Sequence, residues 1–139
     1  MGLFDKLFGR KDAPSLSDSV FGHVAYDDGI WTHVPKRPEG GFMITVAAPQ
    51  SGPSDAQRVF FAHVLQALPA LEQQAKDFIG LKAEDDTDVE RLSIYSLEIG
   101  TEVEVQSERF VMELSDADAI VIHRVSFESG TPIHYTHDD

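Results

Sequence analysis

Partway along the chain the hydrophobic period changes, and this change restricts the fold more than any other feature. Phe61, Val64, Leu65, Leu68, Leu71, Ala75, Phe78 and Ile79 recur at the three- and four-residue steps of an amphipathic helix. Ser54 and Gln57 stand three apart just ahead of them, the spacing of a capping box, and Gly80 reads as the stop. Pro69 lies inside the stripe and has no N–H for the Leu65 carbonyl, so the helix is predicted to kink or to break there. Residues 82–90 form an acidic connection, and beyond them the period is 2. Leu92–Ile99, Glu102–Leu114, Ala119–Phe127 and Thr131–Thr136 read as strands. The second of these loses phase near Ser107-Glu108, which marks a bulge or a turn.

Upstream of the helix, Val20–Val34 reads as a hairpin around Asp27-Asp28-Gly29, and Phe42–Ala48 as a further strand. Strands, one long helix, then strands again, joined mostly by hairpins, is the order of an α+β fold. The expectation is an antiparallel sheet of six to seven strands with one long, Pro69-interrupted helix packed on one face. The 139 residues suit a single domain at 20–139, preceded by an amphipathic segment at 1–11 and a linker at 12–19. In the first segment Leu3, Phe4, Leu7 and Phe8 fall on one helical face, with Lys6, Arg10 and Lys11 on the polar side.

Charge is distributed unevenly. The chain has 24 acidic residues against 11 Lys and Arg, a formal charge of −13. Residues 1–11 are locally basic, whereas residues 82–119 carry twelve acids against Lys82, Arg91 and Arg109. Nucleic-acid binding draws its affinity from cations, so this balance argues against it and suits a basic protein partner. The chain has no cysteine, which excludes disulfides, thiolate catalysis and cysteine-ligated metals, and which fits a reducing cytoplasm. No apolar run approaches a membrane span, and the opening residues do not read as a secretory leader.

Motifs for chemistry are weak. No HExxH, GxSxG, Walker-type or GxGxxG pattern occurs. His23 and His33 flank the first hairpin. A two-residue turn at Asp28-Gly29 puts them on opposite faces, and a three-residue loop puts them across from each other. His134 and His137 are three apart and fall on opposite faces of a strand, while His123 alternates with Val121, Val125 and Phe127 and belongs to an apolar face. Tyr26 and Trp31 share a face, where they either close the core or anchor a partner. Glu84, Asp85, Asp86 and Asp88 lack the glycine and the closing glutamate of a calcium loop. Asp116 and Asp118 suit an Asx turn, and Glu102, Glu104 and Glu108 share the parity of one strand face. No catalytic residue, cofactor or metal ligand is therefore assigned.

The Phe21-Gly22 strand, the single Trp31, the Pro53-Ser54-x-x-Gln57 helix start and the closing AIVIHRVSFESGTPIHYTHDD carry a resemblance. Over residues 20–139 the chain resembles small acidic bacterial α+β proteins of the domain-of-unknown-function type. That resemblance implies a cytosolic protein with no transferable catalytic signature, and a binding role of the kind filled by toxin-neutralising immunity proteins. The expectation is a non-enzymatic cytoplasmic protein-binding module. Its candidate contact residues are Leu3, Phe4, Leu7, Phe8, Glu84, Asp85, Asp86 and Asp88. Two alternatives stand beside it: a small hydrolase-type enzyme built from separated histidines and acids, and membrane attachment through residues 1–11.

Overall fold

The computed structural model of the chain describes residues 14–35, 41–84, 87–118 and 121–138. Among these, eight strands form one sheet whose spatial order follows the chain. They are β1 (Ser15–Asp18), β2 (Gly22–Asp27), β3 (Ile30–His33), β4 (Met43–Ala47), β5 (Ser93–Ile99), β6 (Arg109–Ser115), β7 (Ile122–Glu128) and β8 (Thr131–Asp138). Every neighbouring pair is antiparallel except β4–β5, which is parallel. A parallel pair needs a crossover connection. Here it consists of α1 (Asp55–Gln66), α2 (Leu68–Lys82) and a 3-10 turn at Val89–Arg91. A third helix, α3 (Glu102–Gln106), links β5 to β6. The fold is mixed α+β, and two four-stranded meanders meet at one parallel seam.

Five expectations need correction, the first being a wholly antiparallel sheet, which the parallel β4–β5 pair breaks. The single long helix is two helices meeting at Ala67, whose N–H is shared between the His63 and Val64 carbonyls. Pro69 then falls in the first turn of α2, where a missing N–H breaks no helical bond. Gly80 does not end α2, which continues to Lys82 and closes with the Ala83 N–H on the Ile79 carbonyl. The strand count is eight because Ser15–Asp18, read as linker, pairs with β2. Asp18 secures that strand: its carboxylate accepts from the N–H groups of Val20 and Phe21 at 2.9 Å and from Arg58 Nε at 2.7 Å. Burial works to raise the Asp18 pKa, but those backbone bonds and Arg58 outweigh it, and the carboxyl lies below its ordinary value. Glu102–Gln106, read as strand, is helix α3, with Val105 buried and Val103 71% exposed. Glu102 and Glu104 therefore do not share a strand face with Glu108, which sits in the following turn at φ 55°.

The first hairpin turns through Asp28 (φ 50°) and Gly29 (φ 86°), and the last through Ser129 (φ 51°) and Gly130 (φ 78°). These are two-residue turns of the type that matches strand twist. They pair Asp27 with Ile30 and Glu128 with Thr131. The register then fixes two faces. Tyr26, Trp31, Val46, Ile99, Phe110, Phe127 and Pro132 form a row across seven strands on the helix-covered face. Helix α1 packs on this face, with Phe61 stacked on Phe21 at 4.8 Å and Phe60 edge-on to Phe110. Leu71, Ala75 and Ile79 of α2 are buried in the same core. Gln57 is buried too, and its amide donates to the Ala47 and Gly100 carbonyls at 2.7 and 2.8 Å, tying the start of α1 to the ends of both parallel strands.

Ser15, Ala25, Thr32, Thr45, Glu98, Val111, Ser126 and His134 form the matching row on the other face, one from each strand. Among the described residues no helix is placed over this row, although Ala25 and Thr32 at its β2–β3 end are each only 2% exposed.

Candidate functional site

The helix-free face is polar in its middle and apolar at one end, because each strand alternates faces and the sheet lines up residues of one parity. Arg124 on β7 stands opposite Glu113 on β6, and Glu113 opposite Ser96 on β5. Arg124 binds the Glu98 carboxylate through both of its terminal nitrogens and reaches Glu113 at 3.2 Å through Nη1. Glu113 also accepts from the Ser96 hydroxyl at 2.7 Å. Burial works to lower the Arg124 pKa, but the hydrogen bonds and charges of Glu98 and Glu113 outweigh it, and the guanidinium is held more firmly protonated.

A second group repeats the pattern at the sheet end. Arg109 Nε lies 3.3 Å from Glu128, its partner across the ladder, and Nη1 lies 3.9 Å from Glu104 of α3. Each arginine is thus shared by two glutamates, and each group of three carries one surplus negative charge. Gly100 allows α3 to come this close, since a Cβ there would stand 2.7 Å from the Glu104 Cβ.

Beside them lies a cleft of about 410 Å³, to which the first group contributes Glu98 and the second Glu104 and Arg109. Ile30, Thr45, Ala47, Val111 and Ile133 line its floor and wall, with Ser126 and His134 beside them and Glu98, Glu104 and Arg109 at its margin. Ile133 is 51% exposed because a register shift opposite Ser126/Phe127 pushes it out of the ladder. Clefts of this size are in the range that accepts a ligand or a few side chains. A second hollow lies beyond the ends of β4 and β5, but its buried polar side chain, Gln57, is already bonded on both sides of its amide.

The structure disperses most residues singled out by sequence. Leu3, Phe4, Leu7, Phe8, Asp85 and Asp86 lie outside the described residues. Glu84 and Asp88 are exposed, with Asp88 3.3 Å from Arg91, and neither lines the cleft. The two-residue turn sends His23 and His33 to opposite faces. His33 Nδ1 stands 2.9 Å from the His23 carbonyl, which can only accept, so that nitrogen carries the proton. His134 lines the cleft, whereas His137 stands opposite His123 on the other face. His123 is buried and stacks on Tyr135, with Nδ1 2.7 Å from the tyrosine hydroxyl. Trp31 is buried and donates to the Pro49 carbonyl, with Tyr26 packed against it, so this pair closes the core. The Asp118 N–H bonds the Asp116 carboxylate as an Asx turn. Among the described residues no group of three or more His, Asp or Glu is arranged to hold a metal ion, and no helix is long and apolar enough to cross a membrane.

Glu98, Glu113 and Arg124 were missed as a group. The available signal was parity: Ser96 and Glu98, Val111 and Glu113, and Arg124 and Ser126 each share a face of their own strand. Only the register between strands brings the three pairs together. No family model, curated protein or solved structure matches the chain.

Proposed function

We propose that the chain is a non-enzymatic, cytoplasmic protein-binding module, and that the cleft on the helix-free face is its docking surface. The observation that carries this reading is an apolar floor edged by Glu98, Glu104 and Arg109, which belong to two Glu–Arg–Glu groups that each have a surplus negative charge. Such a surface takes a partner segment with a large apolar side chain next to a lysine or arginine. The apolar group supplies affinity through burial, and the charges supply on-rate and orientation. The overall charge of −13 favours the same class of basic partner, an immunity- or inhibitor-like role of this chain against such a partner being one version of the reading, and disfavours nucleic acid.

Selection of a displayed random peptide library on the protein tests this. Recovered peptides should pair Lys or Arg with Leu, Phe or Ile, and binding should weaken as salt rises. Val111→Glu, in the cleft, should abolish recovery, and Gln73→Glu, exposed on α2, should not. Recovery that is unaffected by Val111→Glu would reject the cleft as the docking surface.

A further inference from the structure

We propose that the resident occupant of this cleft is the chain's own head, residues 1–11, so that an external partner binds by displacing it. The inference rests on the cleft being a docking surface for basic, apolar segments, and adds which segment holds it first. Charge complementarity is the first argument. The head carries Lys6, Arg10 and Lys11 against Asp5, beside Leu3, Phe4, Leu7 and Phe8. It is therefore the locally basic, apolar-rich piece of an otherwise acidic chain, and the cleft offers an apolar floor whose margin of Glu98, Glu104 and Arg109 carries one surplus negative charge. At its length the head is too short to hold a helix alone in water, so ordering requires a surface to cover its four large side chains.

Reach is the second argument, and it comes from where the described chain starts. The Pro14 carbonyl accepts from the Tyr26 N–H at 2.8 Å, which places Pro14 beside the β2–β3 turn. Ile30 and Ala47, at the near end of the cleft, are paired at that same end of the sheet. Strands lie about 4.8 Å apart, so Thr45 on β4 stands roughly 14 Å from β1, and Val111 on β6 roughly 24 Å. Seven residues from Pro14 back to Leu7 span up to about 23 Å when extended. A segment of that length is long enough to bring Leu7 and Phe8 to the β3–β4 part of the floor. The acidic margin at Glu98 and Glu104 then lies within reach of Lys6 and Arg10.

The absence of cysteine makes a clean test possible in the full chain. In the Leu7→Cys/Thr45→Cys double variant, mild oxidation should give an intramolecular disulfide. In Leu7→Cys/Val59→Cys, with the second thiol at an exposed position on α1 near β1, the reaction should be at least tenfold slower. Adding Lys6→Glu and Arg10→Glu to the first pair should slow closure about fivefold, the effect of losing two exposed ion pairs. Equal rates for the two pairs would overturn the proposal, as would disulfide-linked dimers in place of the intramolecular product, which would assign the head to a second copy. A third overturning result is that vesicles of anionic phospholipid capture the wild-type chain while the Thr45 pair fails to close. Failure of closure together with Val111-dependent peptide recovery would remove the head and leave the cleft standing. Failure of both would remove both readings.

Discussion

The two faces of the sheet share one backbone and differ in every property that matters for function. On the covered face, Phe110 and Phe127 stack at 4.7 Å, and Val46, Leu97, Met112 and Val125 are fully buried under α1 and α2. One residue along each strand, the same ladders present Thr45, Glu98, Val111, Ser126 and His134. Alternation with period 2 thus divides the labour within single strands: alternate positions hold the fold, and the positions between them make up the second face. Polar groups on the second face are affordable because they are paired with each other and half in water, and the covered face holds few.

The division should show most strongly in stability. Phe127→Ala should cost about 3–5 kcal/mol, since it empties a site under the helices. Val111→Ala on the opposite face of the neighbouring strand should cost about 1 kcal/mol or less. Urea denaturation of the pair measures the gap, and similar costs would break the distinction between the faces.

A smaller effect is expected at the edge of the covered side, where Asp18 joins β1 to Arg58 of α1. Asp18→Asn should cost about 1–3 kcal/mol, because two backbone N–H groups and a guanidinium lose a charged acceptor. The pKa is depressed in the folded state, so the stabilisation is complete above the unfolded value of about 3.9 and fades as pH falls through the folded value. Acid titration of stability should therefore be shallower in Asp18→Asn than in the parent chain.

The smallest effect belongs to the helix-free face. Arg124→Met should change stability by about 1 kcal/mol or less, because its partners are partly exposed and screened. It should nevertheless leave Glu98 at the cleft margin without Arg124 and strengthen the salt dependence of peptide binding. A large loss of stability with unchanged binding would reverse the assignment of this face.

How much of this was legible in the sequence follows from the range of each interaction. The capping box of Ser54 and Gln57 and the stripe from Phe61 to Ile79 are local, and both stand where they were read except for Leu65, which is 38% exposed and outside the core. Strand parities were equally local, as was the placing of His123 on an apolar face. Ser15–Asp18 escaped because only Leu16 marks it, and pairing with β2 supplies what its own residues do not. Val103 and Val105 fit a strand or a helical turn equally well over five residues. The cleft could not be read at all. Thr45 and Glu98 are neighbours only because β4 and β5 pair in parallel across more than fifty intervening residues, a register that no local pattern encodes.

That parallel seam also governs how the chain acquires its shape. Each meander closes through hairpins or short connections, so its contacts are near in sequence and form early. The seam requires closing the whole crossover loop before any ladder bond repays the lost entropy. Joining the two halves is the step that such a topology slows, and in the folded chain Gln57 of α1 ties the ends of both seam strands together. The cleft floor, which takes Ile30, Thr45 and Ala47 from one half and Val111 and Ile133 from the other, exists only after that step. A half-assembled chain therefore has strands but no cleft, so the cleft's presence reports that the two halves have joined.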